Sequence, residues 1–208
     1  RSVYFIKNNK VVKENFDFVW EKGLAYSQKQ KNILKLHEAI CKKYNIVDDE
    51  ILEVSTKSLI ELGKMLSSIN LKFKVEDREY YFESVYQSSK VFDNGLLEPI
   101  HHPEWIELES FEAKKLSREL DLPLIKFKFK DSIFPLEPKT MFFDWLYISC
   151  INQLNIKFLI DKYNYFTDIE FNPIKMISTQ AQALCKYKCL ADQGLVEEFL
   201  ENPTKFYL

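Results

Sequence analysis

Glycine and cysteine are scarce in this chain, with four of each among 208 residues. Four scattered glycines form no phosphate-cradling loop, and neither GxGxxG nor a Walker pattern occurs. Four cysteines make no disulfide framework, so a reducing, cytoplasmic setting is expected. The sequence has no apolar run of about 20 residues, which argues against a transmembrane helix, and its start carries no charged-then-apolar leader signature. Charge of one sign is also missing: 29 basic residues face 31 acidic ones. That balance excludes a general polyanion binder relying on a basic surface and leaves a local basic cleft open. Gly-x-Ser-x-Gly and HExxH are absent, and His37, His101 and His102 are too scattered to indicate a triad. Chemistry, if any, is expected to run on carboxylates and lysines.

Apolar content is plentiful, at 46% hydrophobic and 15% aromatic residues. That suffices for one sizeable core, and no repeat, low-complexity tract or linker divides the chain, so one domain over 1–208 is expected. The fold class is read as α+β, mainly α-helical, with a few short strands. Apolar runs on either side of Asn8 and Asn9 predict a hairpin. Ser27 is the expected N-cap of a helix reaching Tyr44, on the spacing of Ile33, Leu36, Ala39, Ile40 and Lys43. Residues 51–55 read as a short strand, 59–69 as a helix, and 71–75 and 123–130 as alternating strands. Residues 98–105 read as a loop and 134–138 as a proline-bracketed turn. Further helices are predicted over 107–120, 139–152, 153–163, 175–192 and 195–201, with Gly194 closing the penultimate one.

The segment "FESVYQSSKVF" (82–92) reads as one more helix, buried nearly all round except for a narrow polar stripe of Glu83, Gln87 and Lys90. Seven residues span two turns, which puts Glu83 and Lys90 roughly 10 Å apart along the axis. A stripe this narrow points inward, towards a cavity or a buried network.

Three other segments mix polar residues into core-like sequence. In "LEVSTKS" (52–58), Ser55, Thr56 and Lys57 stand at a strand end leading into a helix, where hydroxyls, free N–H groups and an ammonium can receive an anion or simply cap the helix. In "YFTDIEFNP" (165–173), Asp168 and Glu170 are two apart in an extended stretch and face the same way, as a functional carboxylate pair or as exposed loop acids. In "ISTQAQALCKYKCL" (177–190), Thr179, Gln180 and Gln182 open a helix whose N-terminus suits a ribose or phosphate as well as a cap. Trp20, Trp145 or a tyrosine near the Glu83 stripe are candidates to stack on a base. Cys185 and Cys189 have ligand-like spacing, but no second pair completes a metal site, and they are expected to be core residues.

"LEVSTKSLIELGKMLSSINL", "FESVYQSSKVF", "FFDWLY" and "FTDIEFNPIKMISTQAQA", in that order, resemble the NADAR (YbiA-like) proteins, and within them the branch that accompanies DarT-type ADP-ribosyltransferase toxins as antitoxins. The resemblance runs over nearly the whole chain. It implies an N-glycosidase that removes ADP-ribose from ADP-ribosylated guanine in DNA or RNA and reverses the toxin's modification; no cofactor or metal is expected. On it, Glu83 occupies the central glutamate position, Lys90 its partner lysine and Asp168 the later acidic position; Lys90 is left to bind the diphosphate, to keep Glu83 ionised, to attack the sugar carbon as a Schiff-base nucleophile, or to form a structural ion pair. Asn70 falls in the serine-asparagine segment. The ligand-binding set expected from residues and resemblance together is Ser55, Thr56, Lys57, Asn70, Gln87, Glu170, Gln180, Trp20 and Trp145. Ser178-Thr179-Gln180 departs from the family's asparagine-cysteine before the glutamine, and "FDNGLLEP" (92–99) carries one glycine where the family loop is glycine-rich. Two other readings stand beside this one: an antitoxin that neutralises its toxin by contact, and a glycosidase for another N-riboside, such as a riboflavin-pathway intermediate.

Overall fold

A computed structural model describes every residue except Leu24, Pro173, Ile174, Lys175 and Leu208. The hairpin forms as expected. Strands β1 (Ser2–Lys7) and β2 (Lys10–Asn15) pair antiparallel, joined by Asn8 and Asn9 at φ of 52° and 57°. Two consecutive left-handed residues match the right-handed twist of the strands, and asparagine tolerates that region better than most residues. Helix α1 (Tyr26–Tyr44) turns Ile33, Leu36, His37 and Ile40 inward at helical spacing. Its N-cap is Ala25, without a side-chain cap, so Ser27 lies inside the first turn and does not cap the helix.

Strand β3 (Ile51–Glu53) follows, then a short helix α2 (Glu61–Met65). Strands β4 (Lys72–Val75) and β5 (Arg78–Tyr81) make a separate hairpin. The 82–92 segment corrects the expectation of a single helix. It is helix α3 (Phe82–Ser88) followed by strand β6 (Lys90–Phe92). The hydroxyls of Ser88 and Ser89 both donate to the Val85 carbonyl, at 3.0 and 2.7 Å, and the Ser89 carbonyl accepts from Lys128 N–H at 2.7 Å. Serines competing for backbone acceptors, followed by β-branched and aromatic residues, let the neighbouring strand take over the ladder.

Strand β7 (Ile100–His101) lies in the stretch read as a loop, and α4 (Ser110–Glu119) fills the expected helix. Strands β8 (Leu124–Phe129) and β9 (Ser132–Phe134) precede α5 (Met141–Leu154), the short α6 (Lys157–Ile160) and strand β10 (Tyr165–Thr167). Helix α7 (Gln180–Asp192) begins five residues later than predicted, and position 175 lies outside the described residues. Gly194, at φ 69°, separates it from α8 (Val196–Glu201) as expected.

Among the described residues the strands form three sheets, ordered β2-β1-β10-β3, β4-β5 and β7-β6-β8-β9. In the first, β10 is antiparallel to β1 and parallel to β3, with Thr167 opposite Glu53. One face is covered by α1, whose Ile33, Leu36 and Ile40 cluster with Val3 of β1 and Ile51 of β3. A larger core of Leu52, Val54, Phe82, Val85, Phe142, Tyr147 and Leu184 joins α3, α5 and α7 to the sheets. The fold is therefore α+β. Cys185 and Cys189 are buried on α7, Cys185 within this core. No helix of the described residues is long and apolar enough to cross a membrane.

Gly63 reports how tightly α2 lies on β3. A Cβ there would sit 2.0 Å from the Glu53 carbonyl oxygen and 2.4 Å from Ser58 Oγ. Alanine at an open helical position gains about 1 kcal/mol over glycine. Here the clash decides the sign, and Gly63→Ala is expected to cost about 1–3 kcal/mol in urea unfolding. A gain in stability would show that α2 does not press on β3.

Candidate functional site

A cavity of about 750 Å³ lies where α3, α4, the 55–58 turn, the 168–170 turn and the start of α7 meet. Its wall carries Thr56, Lys57, Glu83, Gln87, Lys90, Asp168, Glu170 and Gln180, eight of the twelve candidate catalytic and ligand-binding residues, together with Thr179. The other four lie elsewhere. Ser55 is buried behind the wall, its hydroxyl accepting from Lys57 N–H at 3.2 Å to hold the turn. Asn70 donates to the Lys64 carbonyl at 3.0 Å. Trp20 packs beside Phe18 under the Arg1 guanidinium. Trp145 packs on Phe134 and Phe142, and its indole N–H donates to the Leu200 carbonyl at 2.9 Å. Neither tryptophan lines the cavity. The aromatic wall is instead Tyr86, Phe127 and Phe143, with Phe111, 71% exposed, at the rim.

Glu83 stands in the first turn of α3 and is 4% exposed. Gln87 Nε2, one turn on, donates to its Oε1 at 2.6 Å, and Lys114 Nζ of α4 approaches the same oxygen at 3.3 Å. The ion pair of Glu83 is thus with Lys114, a residue that sequence reading did not single out. Gln87 Oε1 is buried without a hydrogen-bond partner among the described residues, an acceptor suited to a ligand hydroxyl or amine.

Lys90, first residue of β6, hydrogen-bonds Ser117 Oγ at 3.2 Å and lies 5.4 Å from the centre of the Tyr86 ring. Burial pushes its ammonium down to about 8; the Glu83 carboxylate opposes this, while Lys114 and Arg118 add to it. Lys57 donates to Thr56 Oγ1 at 2.8 Å and lies 3.8 Å from Glu170, whose Oε2 accepts from Thr56 N–H and hydroxyl. With Lys90, Lys114, Arg118 and Lys139, the wall carries five cations against the four acids Glu83, Glu137, Asp168 and Glu170.

Asp168 follows β10 and is 5% exposed. Its Oδ1 accepts from the N–H groups of Glu170 at 3.0 Å and Phe171 at 3.1 Å, which closes a turn, and its Oδ2 accepts from the Thr179 hydroxyl at 3.0 Å. Glu170 therefore reaches the same cavity through a turn, whereas strand alternation was expected. Three donors favour the carboxylate, but burial and the neighbouring Glu53 carboxylate outweigh them and hold Asp168 well above the usual carboxylate range. Gln180 lines the wall, yet both ends of its amide are engaged by protein: Nε2 donates to the Val54 carbonyl at 2.6 Å and Oε1 accepts from Ser68 N–H at 2.7 Å. It ties α7 to β3 and to the loop after α2.

The residues missed from sequence are mainly on α4. Phe111, Lys114 and Arg118 share its cavity face, while Ser110, Ala113 and Ser117 are buried. Small buried residues interleaved with long basic ones were the available signal for a helix pressed close to its neighbour beside a polar space. Among the described residues no group of three or more His, Cys, Asp or Glu could hold a metal ion.

A family model described as DarT1-associated NADAR antitoxin matches residues 1–208. A comparison with curated proteins finds no match.

The raised Asp168 gives a measurable pH signature. An acid whose folded pKa exceeds its unfolded value of about 3.9 binds its proton more tightly when folded, so stability falls as pH rises above about 4. In Asp168→Asn that slope is expected to flatten, and the variant's stability relative to the parent rises between about pH 5 and pH 7. Urea midpoints across that range check it. Parallel parent and variant curves would mean that Asp168 is not perturbed.

Proposed function

This chain belongs to the DarT1-associated NADAR antitoxin family, and from that premise we propose that it acts as an N-glycosidase in the cytoplasm, releasing ADP-ribose from ADP-ribosylated guanine in nucleic acid and so undoing the toxin's modification. The observation that carries the reading is the composition of one cavity: a buried glutamate with two donors on one oxygen, an aspartate held above the usual range, and several cations around about 750 Å³. Pockets of roughly 300–1,000 Å³ are the usual range for ligands of this size.

Cleaving an N-glycoside builds positive charge at the anomeric carbon and negative charge at the departing nitrogen. In this reading Glu83 faces the sugar carbon, where it stabilises the oxocarbenium ion and takes a proton from the incoming water. Asp168, with its raised pKa, returns a proton to the guanine nitrogen as the C–N bond breaks. Water adds hydroxide to the sugar and the products are ADP-ribose and unmodified guanine. The diphosphate is held by Lys57, Thr56 and the α4 cations, and Gln87 Oε1 accepts from a ribose hydroxyl. A base stacks on Tyr86 or Phe111 in place of the tryptophans.

Lys90 has a second reading with its own support. Its ammonium is pushed down to about 8, and the ion-pair role beside Glu83 falls to Lys114. That leaves Lys90 suited to attack the sugar carbon as a free amine: the C–N bond to guanine breaks as Asp168 protonates the leaving nitrogen, the lysine adduct loses its extra proton to Glu83 and opens its ring C–O bond to a Schiff base, and water hydrolyses that to ADP-ribose and free lysine. As nucleophile, it makes kcat rise with pH through about 8, and Lys90→Arg is inactive. As phosphate ligand, it makes KM worsen over the same range, and Lys90→Arg retains activity.

Glu83→Gln is expected to keep the fold and lower ADP-ribose release from a modified oligonucleotide by at least about 10²-fold. If that variant protects cells from the toxin as well as the parent does, protection works by contact with the toxin and not by catalysis.

A further inference from the structure

Behind Asp168, on the side away from the cavity, four polar side chains form an unbroken line from solvent into the core. Asp48, in a 3-10 turn after α1, has a side chain 64% exposed, and its Oδ1 lies 2.7 Å from His37 Nδ1. His37 is 5% exposed, and its Nε2 lies 3.2 Å from Thr167 Oγ1. The Thr167 hydroxyl donates to Glu53 Oε2 at 2.6 Å, and Glu53 Oε1 accepts from Ile169 N–H at 2.8 Å. Thr167 and Ile169 flank Asp168 in sequence, and Glu53 is 1% exposed. None of His37, Thr167 or Glu53 lines the cavity.

Donor and acceptor counting limits what this line can hold. The His37 hydrogen bond keeps Asp48 below the usual carboxylate range, so Nδ1 carries a hydrogen towards it. Thr167 has one hydrogen to give. If it goes to Glu53, Nε2 must be protonated to donate to Thr167, and the line holds imidazolium and carboxylate. If it turns to Nε2, Glu53 must carry the proton to fill the Thr167 lone pair, and the line holds neutral imidazole and carboxylic acid. Both arrangements contain the same number of protons. They differ by the passage of one proton from Nε2 to Oγ1 while the hydroxyl hydrogen moves from Oγ1 to Oε2.

We propose that His37, Thr167 and Glu53 form a proton relay that positions the charge behind Asp168 and thereby decides whether Asp168 acts as acid or as base. With the proton on His37, an anionic Glu53 favours protonated Asp168, ready to give its proton to a leaving group. With the proton on Glu53, that repulsion is gone and Asp168 stays ionised after giving its proton, able to take back the proton that Glu83 gains from water. This rests on the reading of Asp168 as the proton donor in the proposed glycosidase. The other titratable groups facing Asp168 are Glu170 on its own turn, Tyr4 of β1 and Tyr147 of α5, with the Thr179 hydroxyl at the start of α7. Of the groups around it, Glu53 alone has a hydrogen-bonded path to exposed Asp48 among the described contacts.

The test uses the full chain with 13C-labelled aspartate and glutamate carboxyls, titrated by NMR without substrate, alongside the kcat–pH profile on the modified oligonucleotide. Thr167→Val removes the hydroxyl, leaving Glu53 short of a donor and protonated, so the Asp168 midpoint is expected to fall by about one pH unit or more. His37→Gln donates to Thr167 but cannot pass a proton on, locking Glu53 as the anion and keeping the Asp168 midpoint high. Thr167→Ser restores the parent titration, and the kcat–pH limb follows the Asp168 midpoint in each variant. The relay is overturned if folded Thr167→Val superimposes on the parent, if His37→Gln lowers the Asp168 midpoint, or if Thr167→Ser behaves as Thr167→Val does. Should the parent release no ADP-ribose, the glycosidase reading fails while the carbon titration still decides the relay.

Discussion

The wall of the cavity hangs from one buried carboxylate. Glu53 sits in the short strand β3 with both oxygens engaged, one by the Thr167 hydroxyl and one by the Ile169 backbone. Taking a carboxylate out of water costs several kcal/mol unless hydrogen bonds or opposite charge compensate. Those two donors bracket Asp168, so the interactions that make Glu53 tolerable also fix where Asp168 stands. The parallel pairing of β10 with β3, with Thr167 opposite Glu53, is the backbone counterpart of the same constraint. From β3 the constraint spreads outward: Gly63 lets α2 close over the Glu53 carbonyl, and Gln180 ties α7 to Val54.

Opposite this wall, α3 and α4 supply the second half of the site by different physics. Helix α3 is short because serines end it, and that ending moves Lys90 off the helix and onto a strand. Glu83 and Lys90 still share the cavity, but they are held by separate partners: Glu83 by Gln87 and Lys114, Lys90 by Ser117 and the Tyr86 ring. Two carboxylates and two lysines thus stand in environments that differ in burial and neighbours. Such differences in environment are how one cavity can keep acids, anions and amines in distinct protonation states at one pH.

Local signals in the sequence were read well where one element decided its own conformation. The Asn8-Asn9 turn, the apolar spacing on α1 and Gly194 all act within a few residues of themselves. The 82–92 segment misled because its helical periodicity is real up to Ser88, and only the β8 strand, more than 30 residues away, draws Lys90 into a ladder. Glu83, Gln87, Asp168 and Glu170 were legible because carboxylates and amides inside core-like sequence need a polar destination. Lys114 and Arg118 were not, because basic residues on an amphipathic helix look like any solvated face until the partner across the cavity is known. Trp20 and Trp145 drew attention by size, and packing explains both.

The central claim is that this cavity breaks the bond between ribose and guanine. Mass spectrometry of an oligonucleotide carrying one ADP-ribosylated guanine, incubated with the purified chain, tests it most directly. The account predicts the fully unmodified oligonucleotide together with intact ADP-ribose. An oligonucleotide left unchanged, or one retaining a phosphoribosyl remnant from cleavage at the diphosphate, would contradict it.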